Sequence, residues 1–257
     1  MTVGKSSRPD ARVGSGVGHL LPGYLTRVAG VSEHLDIKVD DVRLACHVQG
    51  PPDAPPMVLL HALGEAGGTW DVVTAEFAPL FRVVAIDLRG HGESDRPGTY
   101  SFELMRDDVV GVLDQLALDP ITLVGHSMGG VVAYLIAEEQ PGRIERLILE
   151  DTPPPFPRER AVPERPAGFL PFDWDVVPAI VRQVNQPDPA WWDRLARITA
   201  STLLIGGGPS SHIPQDKLAQ LAARVPMCQL LTIPVGHHVH ASRPAEFATA
   251  VLTFLRE

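Results

Sequence analysis

"ITLVGHSMGGVVAYLIAEE", residues 121–139, decides how the rest of the chain is read. A short apolar run, ITLV, passes without a loop into Gly125-His126-Ser127-Met128-Gly129, and a helical stretch follows at once. A strand that reverses into a helix within so few residues crowds its own backbone. Glycines flanking the apex remove the side chains that would collide, and the apical serine is forced into a strained conformation. The helix start then offers free N–H groups and a partial positive charge to any negative charge that develops beside the hydroxyl. The plain alternative is a glycine-flanked helix cap with serine as capping residue.

Working outward, the same kind of unbroken apolar run recurs at "MVLL" (57–60), "RVVAID" (82–87), "RLILE" (146–150), "TLLI" (202–205) and "QLLTI" (229–233). Short runs without polar alternation suit strands buried on both faces. Residues 34–39 and 42–49, joined by Asp40-Asp41, look like a strand pair. Between the runs lie helical patterns: Met105, Val109, Val112, Leu113 and Leu116 share one face, as do Phe247, Val251, Phe254 and Leu255. Alternating buried strands and helices imply a mostly parallel sheet with helices on both sides. Residues 152–198 break the alternation. They hold ten of the 25 prolines and six of the fifteen aromatic residues, too long and too aromatic for a plain loop, and they read as an insertion. Asp188 and Pro189 are placed as the cap and first residue of a helix inside it.

The totals narrow the class. The chain has 257 residues, a length that one α/β domain can reach, and its net charge of −9 argues against nucleic acid or an anionic membrane as partner. No apolar stretch approaches the ~18 residues of a membrane span. Cys46 and Cys228 make neither a metal spacing nor a disulfide framework and are expected in the core. Residues 1–30, rich in Gly, Ser and Arg, are expected to form a flexible arm; "GKS" (4–6) and "GSGVG" (14–18) lack the flanking elements of nucleotide loops. They also lack the layout of a secretory signal, so a cytoplasmic location is the expectation.

Four segments in order, "LLHALGE" (59–65), "DLRGHGESD" (87–95), "GHSMGG" (125–130) and "VGHHVH" (235–240), resemble the α/β-hydrolase superfamily, in its branch of lidded single-domain serine esterases. The resemblance implies an α/β-hydrolase fold: a mostly parallel eight-stranded sheet flanked by helices, with core residues 31–151 and 199–257 and a helical lid at 152–198. It implies Ser127 as nucleophile, His237 as base, and an oxyanion hole from the N–H groups of Leu63 and Met128. His61 opens the oxyanion loop, and Ala62 stands where the family usually has glycine, limiting the backbone there. The "DLRGHGESD" loop, despite Asp87 and His91, is expected to be a structural turn.

The third triad member is the difficulty. In the family it usually follows the seventh strand, where this chain has Gly207-Gly208-Pro209-Ser210 and no carboxylate. The end of the sixth strand faces the same crevice and carries two acids, Glu150 and Asp151. Adjacent strand residues point to opposite faces, so only one can reach His237. Asp151, just past the strand end, is favoured over Glu150. The plain reading of Asp151 is a turn cap before three prolines.

Phe156, Trp174, Trp191, Trp192 and His238 are the expected substrate contacts, with His61 and Ala62 at the oxyanion loop, around a small apolar substrate. Each aromatic has ordinary packing as its competing role. His237, His238 and His240 are close in sequence, but with no acidic or thiol residue beside them no metal is expected, nor any cofactor. The function expected is cleavage of a carboxylic ester or related acyl compound through an acyl-enzyme. Acyl transfer on the same machinery, or a degenerate ligand-binding relative, are the alternatives. Serine rather than aspartate at the elbow argues against epoxide-hydrolase chemistry. The oligomeric state is open.

Overall fold

The computed structural model describes Met1 and residues 32–257. The expectations for residues 2–31, including the arm and the two glycine-containing stretches, fall outside the described residues.

Eight strands form one sheet: β1 (Glu33–Val39), β2 (Val42–Gln49), β3 (Pro56–Leu60), β4 (Arg82–Ile86), β5 (Ile121–His126), β6 (Ile144–Glu150), β7 (Ser201–Gly206) and β8 (Cys228–Thr232). Their spatial order is β1-β2-β4-β3-β5-β6-β7-β8. β1 and β2 pair antiparallel, β2 joins β4 antiparallel, and every later pairing is parallel. The helices are α1 (Asp71–Phe77), α2 (Phe102–Gln115), α3 (Met128–Glu139), α4 (Val176–Asn185), α5 (Pro189–Arg194), α6 (Gln215–Arg224), α7 (Val239–Ser242) and α8 (Pro244–Phe254).

The apolar runs explain the layers. Alternate residues of β3 face opposite ways: Val58 and Leu60 belong to the apolar layer that contains α2 and α3, while Met57 and Leu59 belong to the layer that contains α1 and α8. A strand covered on both sides has no polar face to expose, hence the missing alternation. α3 is buried along almost its whole length from Met128 to Glu138, so it is apolar all round rather than on one stripe. Cys46 is buried as expected, but Cys228 is partly exposed because it opens the edge strand β8.

Between β6 and β7 the chain makes an excursion containing α4 and α5. The Asp188 side chain accepts a hydrogen bond from the Ala190 N–H at 2.9 Å, and Pro189 opens α5, as the cap chemistry requires. The excursion is fastened to the body. The Asp173 N–H donates to Gly90 O at 2.7 Å, the Tyr100 hydroxyl to Asp173 at 2.6 Å, and the Phe102 N–H to Gln183 at 2.8 Å.

Successive strands are added on one side of β3 (β4) and then on the other (β5), so the order reverses between β3 and β5. Crevices at the carboxyl ends of strands flanking such a switch point are where ligands bind in open α/β sheets. The loops after β3 and β5 meet there.

Candidate active site

Ser127 stands between β5 and α3 with φ 51° and ψ −110°, a region that side-chain-bearing residues rarely occupy. The elbow leaves no room for side chains around it. A Cβ on Gly125 would lie 2.5 Å from Gly129 O, and one on Gly129 would collide with the backbone of Leu60 and His61. The Ser127 N–H donates to Glu150 O at 3.0 Å, which ties the elbow to the end of β6.

The loop after β3 lies against the elbow: Gly129 N–H donates to His61 O at 3.1 Å. Three of its other amides are engaged. Ala62 N–H reaches Glu65 Oε2 (3.2 Å), Glu65 N–H reaches Ala62 O (3.2 Å), and Gly64 N–H reaches His91 Nε2 (3.1 Å). Among the described residues, the N–H groups of Leu63 and Met128 are donated to no protein acceptor. Donors without a protein acceptor on the two segments at a serine elbow are the kind of group an oxyanion hole requires.

The turn after β4 braces this loop. Asp87 accepts from Gly67 N–H at 2.6 Å and Glu93 N–H at 2.8 Å. His61 is a correction to the expected substrate contacts. It is fully buried, its Nδ1 donates to Ala62 O at 2.8 Å, and its Nε2 accepts from Leu88 N–H at 3.0 Å. Burial pushes its pKa down, which keeps it in this neutral form. It laces two loops together and has no nitrogen left for a ligand. His91 is likewise buried and pushed down to about 3, by burial first and by His61 second.

His237 sits in the loop after β8, its side chain 12% exposed, with Nδ1 2.7 Å from Asp151 Oδ2. Asp151 is fully buried. Its other oxygen accepts from Gly207 N–H at 2.8 Å, and the Ser211 hydroxyl donates to Oδ2. Burial alone would raise the carboxyl pKa. The bonds from His237, Ser211 and Gly207 overcome it, so the net shift is downward and the group is ionised. Glu150, one residue back, points the other way and pairs with His240 at 2.8 Å. Ser210, which occupies the family's usual place for the acid, is exposed instead. The tight turn at Gly208–Ser210 carries it outward, and Ser211 reaches the carboxylate. His237 Nε2, across the ring from Asp151, is left facing away from the acid. The Ser127 hydroxyl makes no hydrogen bond among the described residues, and such contacts commonly tighten only with substrate bound.

The aromatic residues of the excursion divide. Trp191 is 2% exposed and packs edge-on against Phe102 at 5.7 Å, so it belongs to the core. It also lines a narrow crevice with Val131, Tyr134 and Pro153. Trp192 packs on Phe156 at 4.6 Å, with Lys217 over Phe156 and Arg224 over Trp192, which clamps the excursion to α6. Phe156 and Trp192 are therefore engaged in packing the excursion, while Trp191 both packs on the core and lines that crevice. Trp174 differs: it neighbours Phe172, whose ring stacks on His91 and lies against Gly64 at the oxyanion loop. Ala62 is buried in that loop. His238 is 54% exposed with Nε2 3.1 Å from Glu65 Oε1. Phe172 and His212 were not foreseen as site residues. His212 lies 4.1 Å from the His237 ring and is pushed down to about 4, chiefly by burial and then by His237.

The expectation that no acid stands beside the histidines is corrected. Glu150 and Glu65, distant in sequence, reach His240 and His238, and His126, Glu150 and His240 offer donor atoms within 4.8 Å of one another. Their donors are largely committed: His240 Nδ1 and N–H both go to Glu150, and His240 Nε2 is 3.2 Å from the Thr69 hydroxyl.

No helix among the described residues is long and apolar enough to cross a membrane. Residues 55–186 match the family described as alpha/beta hydrolase fold. The chain is 26% identical over 255 residues to the sn-1-specific diacylglycerol lipase ABHD11 of Mus musculus, covering 81% of this chain and 83% of that protein. It is 37% identical to Epoxide hydrolase 4 of Mus musculus, but only over 127 residues, 48% of this chain and 35% of that one. Among solved structures, a hydrolase from Pseudomonas aeruginosa PA01 superposes with a TM-score of 0.75 at 26% identity, covering 88% of this chain and 99% of the other. With the eight-stranded sheet, the reversal at β3 and β5 and the match over residues 55–186, the chain belongs to the α/β-hydrolase fold family, and its kinship is with hydrolases.

Proposed function

We propose that the protein is a serine hydrolase that cleaves a carboxylic ester, or a related acyl compound, through an acyl-enzyme. The observation that carries the reading is the 2.7 Å contact between His237 Nδ1 and a fully buried Asp151 carboxylate, on the loop beside the strained Ser127 elbow. In this reading Asp151 holds the ring with a proton on Nδ1, leaving Nε2 to take the Ser127 proton. Ser127 Oγ then attacks the carbonyl carbon and the carbonyl π electrons move onto oxygen. The Leu63 and Met128 N–H groups stabilise that oxyanion. His237 returns the proton to the leaving alkoxide, and the ester bond breaks. Water, deprotonated by the same ring, releases the acid and restores Ser127.

The acid is thus supplied from the end of β6 and not from the loop after β7. Residues 152–198 act as the lid, with Trp174 and Phe172 beside the oxyanion loop. The serine at the elbow supports acyl chemistry over the epoxide opening named for one relative.

A fluorophosphonate probe tests the reading. Labelling of Ser127 that is lost in His237→Ala, with a burst of p-nitrophenol from a p-nitrophenyl ester, is the expected result. No labelling of the folded protein would refute it.

A further inference from the structure

Four segments, three of the site motifs (the turn after β4 excepted) and the end of β6 (149–152), each contribute a residue to the proposed chemistry and another that the chemistry does not use. The unused ones meet. "LLHALGE" supplies Leu63 and also Glu65; "GHSMGG" supplies Ser127 and also His126; "LEDT" supplies Asp151 and also Glu150; "VGHHVH" supplies His237 and also His240. His126 lies at their centre. It is fully buried, and its ring centroid lies 4.7 Å from that of His237, 5.3 Å from His238 and 5.2 Å from His240.

The contacts of His126 join separate segments of the site. Its Nε2 is 2.9 Å from the backbone oxygen of His237, so the residue before the nucleophile holds the backbone of the base. Its Nδ1 has no hydrogen-bond partner yet faces Glu65 Oε2 at 3.5 Å, an ionic separation. Glu65 also accepts from Ala62 N–H and contacts His238, tying in the oxyanion loop. Glu150, on the other side, takes both the N–H and Nδ1 of His240.

We propose that Glu65, His126, Glu150 and His240 form a largely buried polar hub that sets the spacing between nucleophile, base and oxyanion loop, with His126 as its positioning residue. The inference rests on the hydrolase reading above. His126 acts through the His237 backbone and touches no reacting atom.

Electrostatics agree with the geometry. Burial opposes a charge on His126, but Glu150, Glu65 and the bond to His237 outweigh it, and its pKa is raised. Glu65 is held down at about 2: burial pushes it up, and His126 and Ala62 N–H prevail. The titratable groups facing His126 are Glu65 and His61 from the loop after β3, Glu150 from β6, His237 and His238 from the base loop and His240 from α7. A metal held by His126, Glu150 and His240 would require His240 to give up its bond to Glu150, and the geometry favours the hub.

Nitrogen-15 NMR of the histidine rings, with steady-state kinetics on a p-nitrophenyl ester, tests the proposal. His126 is expected to titrate at higher pH than a free imidazole, and Glu65→Gln to move its titration to lower pH. Glu65→Gln should lower kcat about tenfold, as for one lost charged contact, with KM nearly unchanged. His126→Leu should lower kcat about 100-fold, the scale of a small misplacement, and His126→Asn, which keeps a donor for the His237 oxygen, should recover part of it. A His126 ring that titrates no higher than a free imidazole, or wild-type kcat in folded His126→Leu, would overturn the hub. So would an equimolar metal that departs on His126 substitution. Should His126→Leu fail to fold, the Glu65→Gln titration and kcat decide. If the fluorophosphonate leaves Ser127 unlabelled, the hydrolase reading fails while the ring titration still reports the hub.

Discussion

Replacing Asp151 with asparagine removes one charge and changes little else. Asp151 has φ 39°, a left-handed conformation that asparagine tolerates better than most residues. The amide oxygen can still accept the Gly207 N–H that the carboxylate accepts at 2.8 Å. What cannot survive is the 2.7 Å bond to His237. An amide NH₂ turned toward His237 Nδ1 would need that nitrogen to accept, which places the ring proton on Nε2, where the serine proton must go. Loss of tautomer control and of imidazolium stabilisation together cost about 10³–10⁴ in turnover, or about 4–5.5 kcal/mol of barrier. The assay is kcat on a p-nitrophenyl ester at saturating substrate, with thermal unfolding as the control for folding. The wild type also has a pH limb that the variant lacks. The depressed Asp151 pKa contributes stability above the ordinary carboxylate range, and that contribution is lost as pH falls through the folded-state value. Glu150→Gln is the contrasting variant. Its neighbour is His240, so it should cost more stability and far less turnover. A folded Asp151→Asn enzyme within tenfold of wild type would refute the assignment.

Other outcomes follow from the same geometry. Ser211→Ala removes a hydroxyl bond to the acid and should lower kcat roughly tenfold, about 1.5 kcal/mol, read in the same kinetics. Ser127→Gly should abolish esterase activity yet raise stability by about 1 kcal/mol, because glycine relieves the strain of φ 51°; differential scanning calorimetry reads it. Gly129→Ala would drive a methyl into the backbone of Leu60 and His61 and should destabilise by about 3 kcal/mol or more, seen as a lower urea midpoint. Glu138 is buried with one unpartnered oxygen, and burial lifts its pKa to about 8 against the pull of Arg194. The native state therefore holds a proton that the unfolded chain releases, and stability should fall as pH rises from about 4.5 to about 8. Glu138→Gln should flatten that slope in denaturation curves.

The sheet was legible because burial on both faces leaves a plain mark, an unbroken apolar run of the right length. β3, β4 and β7 appear within a residue or two of their expected ends, and β5 and β6 extend two residues beyond them at one end. The elbow was legible because few residue sets permit that reversal. The acid could be narrowed to two neighbours but rested on a handedness that the two histidines on either side decide: His237 takes one carboxylate and His240 the other. The roles of the excursion's aromatic residues could not be separated in the sequence because a ring that packs and a ring that lines a cavity have the same chemistry. Only the partners, such as Phe102 for Trp191 or Arg224 for Trp192, separate them. Glu65 and Glu150 escaped notice as companions of the late histidines because sequence distance says nothing about which loops a sheet gathers at one edge.

The placement of Glu150 and Asp151 side by side has an evolutionary cost. Two successive residues serve opposite faces, one steadying the interior and one aligning the base. A single-residue deletion in β6 would exchange their orientations and disable both duties at once, whereas the loop after β7, relieved of carrying the acid, can drift at positions such as Ser210 with little consequence. Natural variation in this lineage should therefore be scarce in length at the sixth strand and abundant at Ser210, but not at Gly207 or Ser211, which hold the carboxylate.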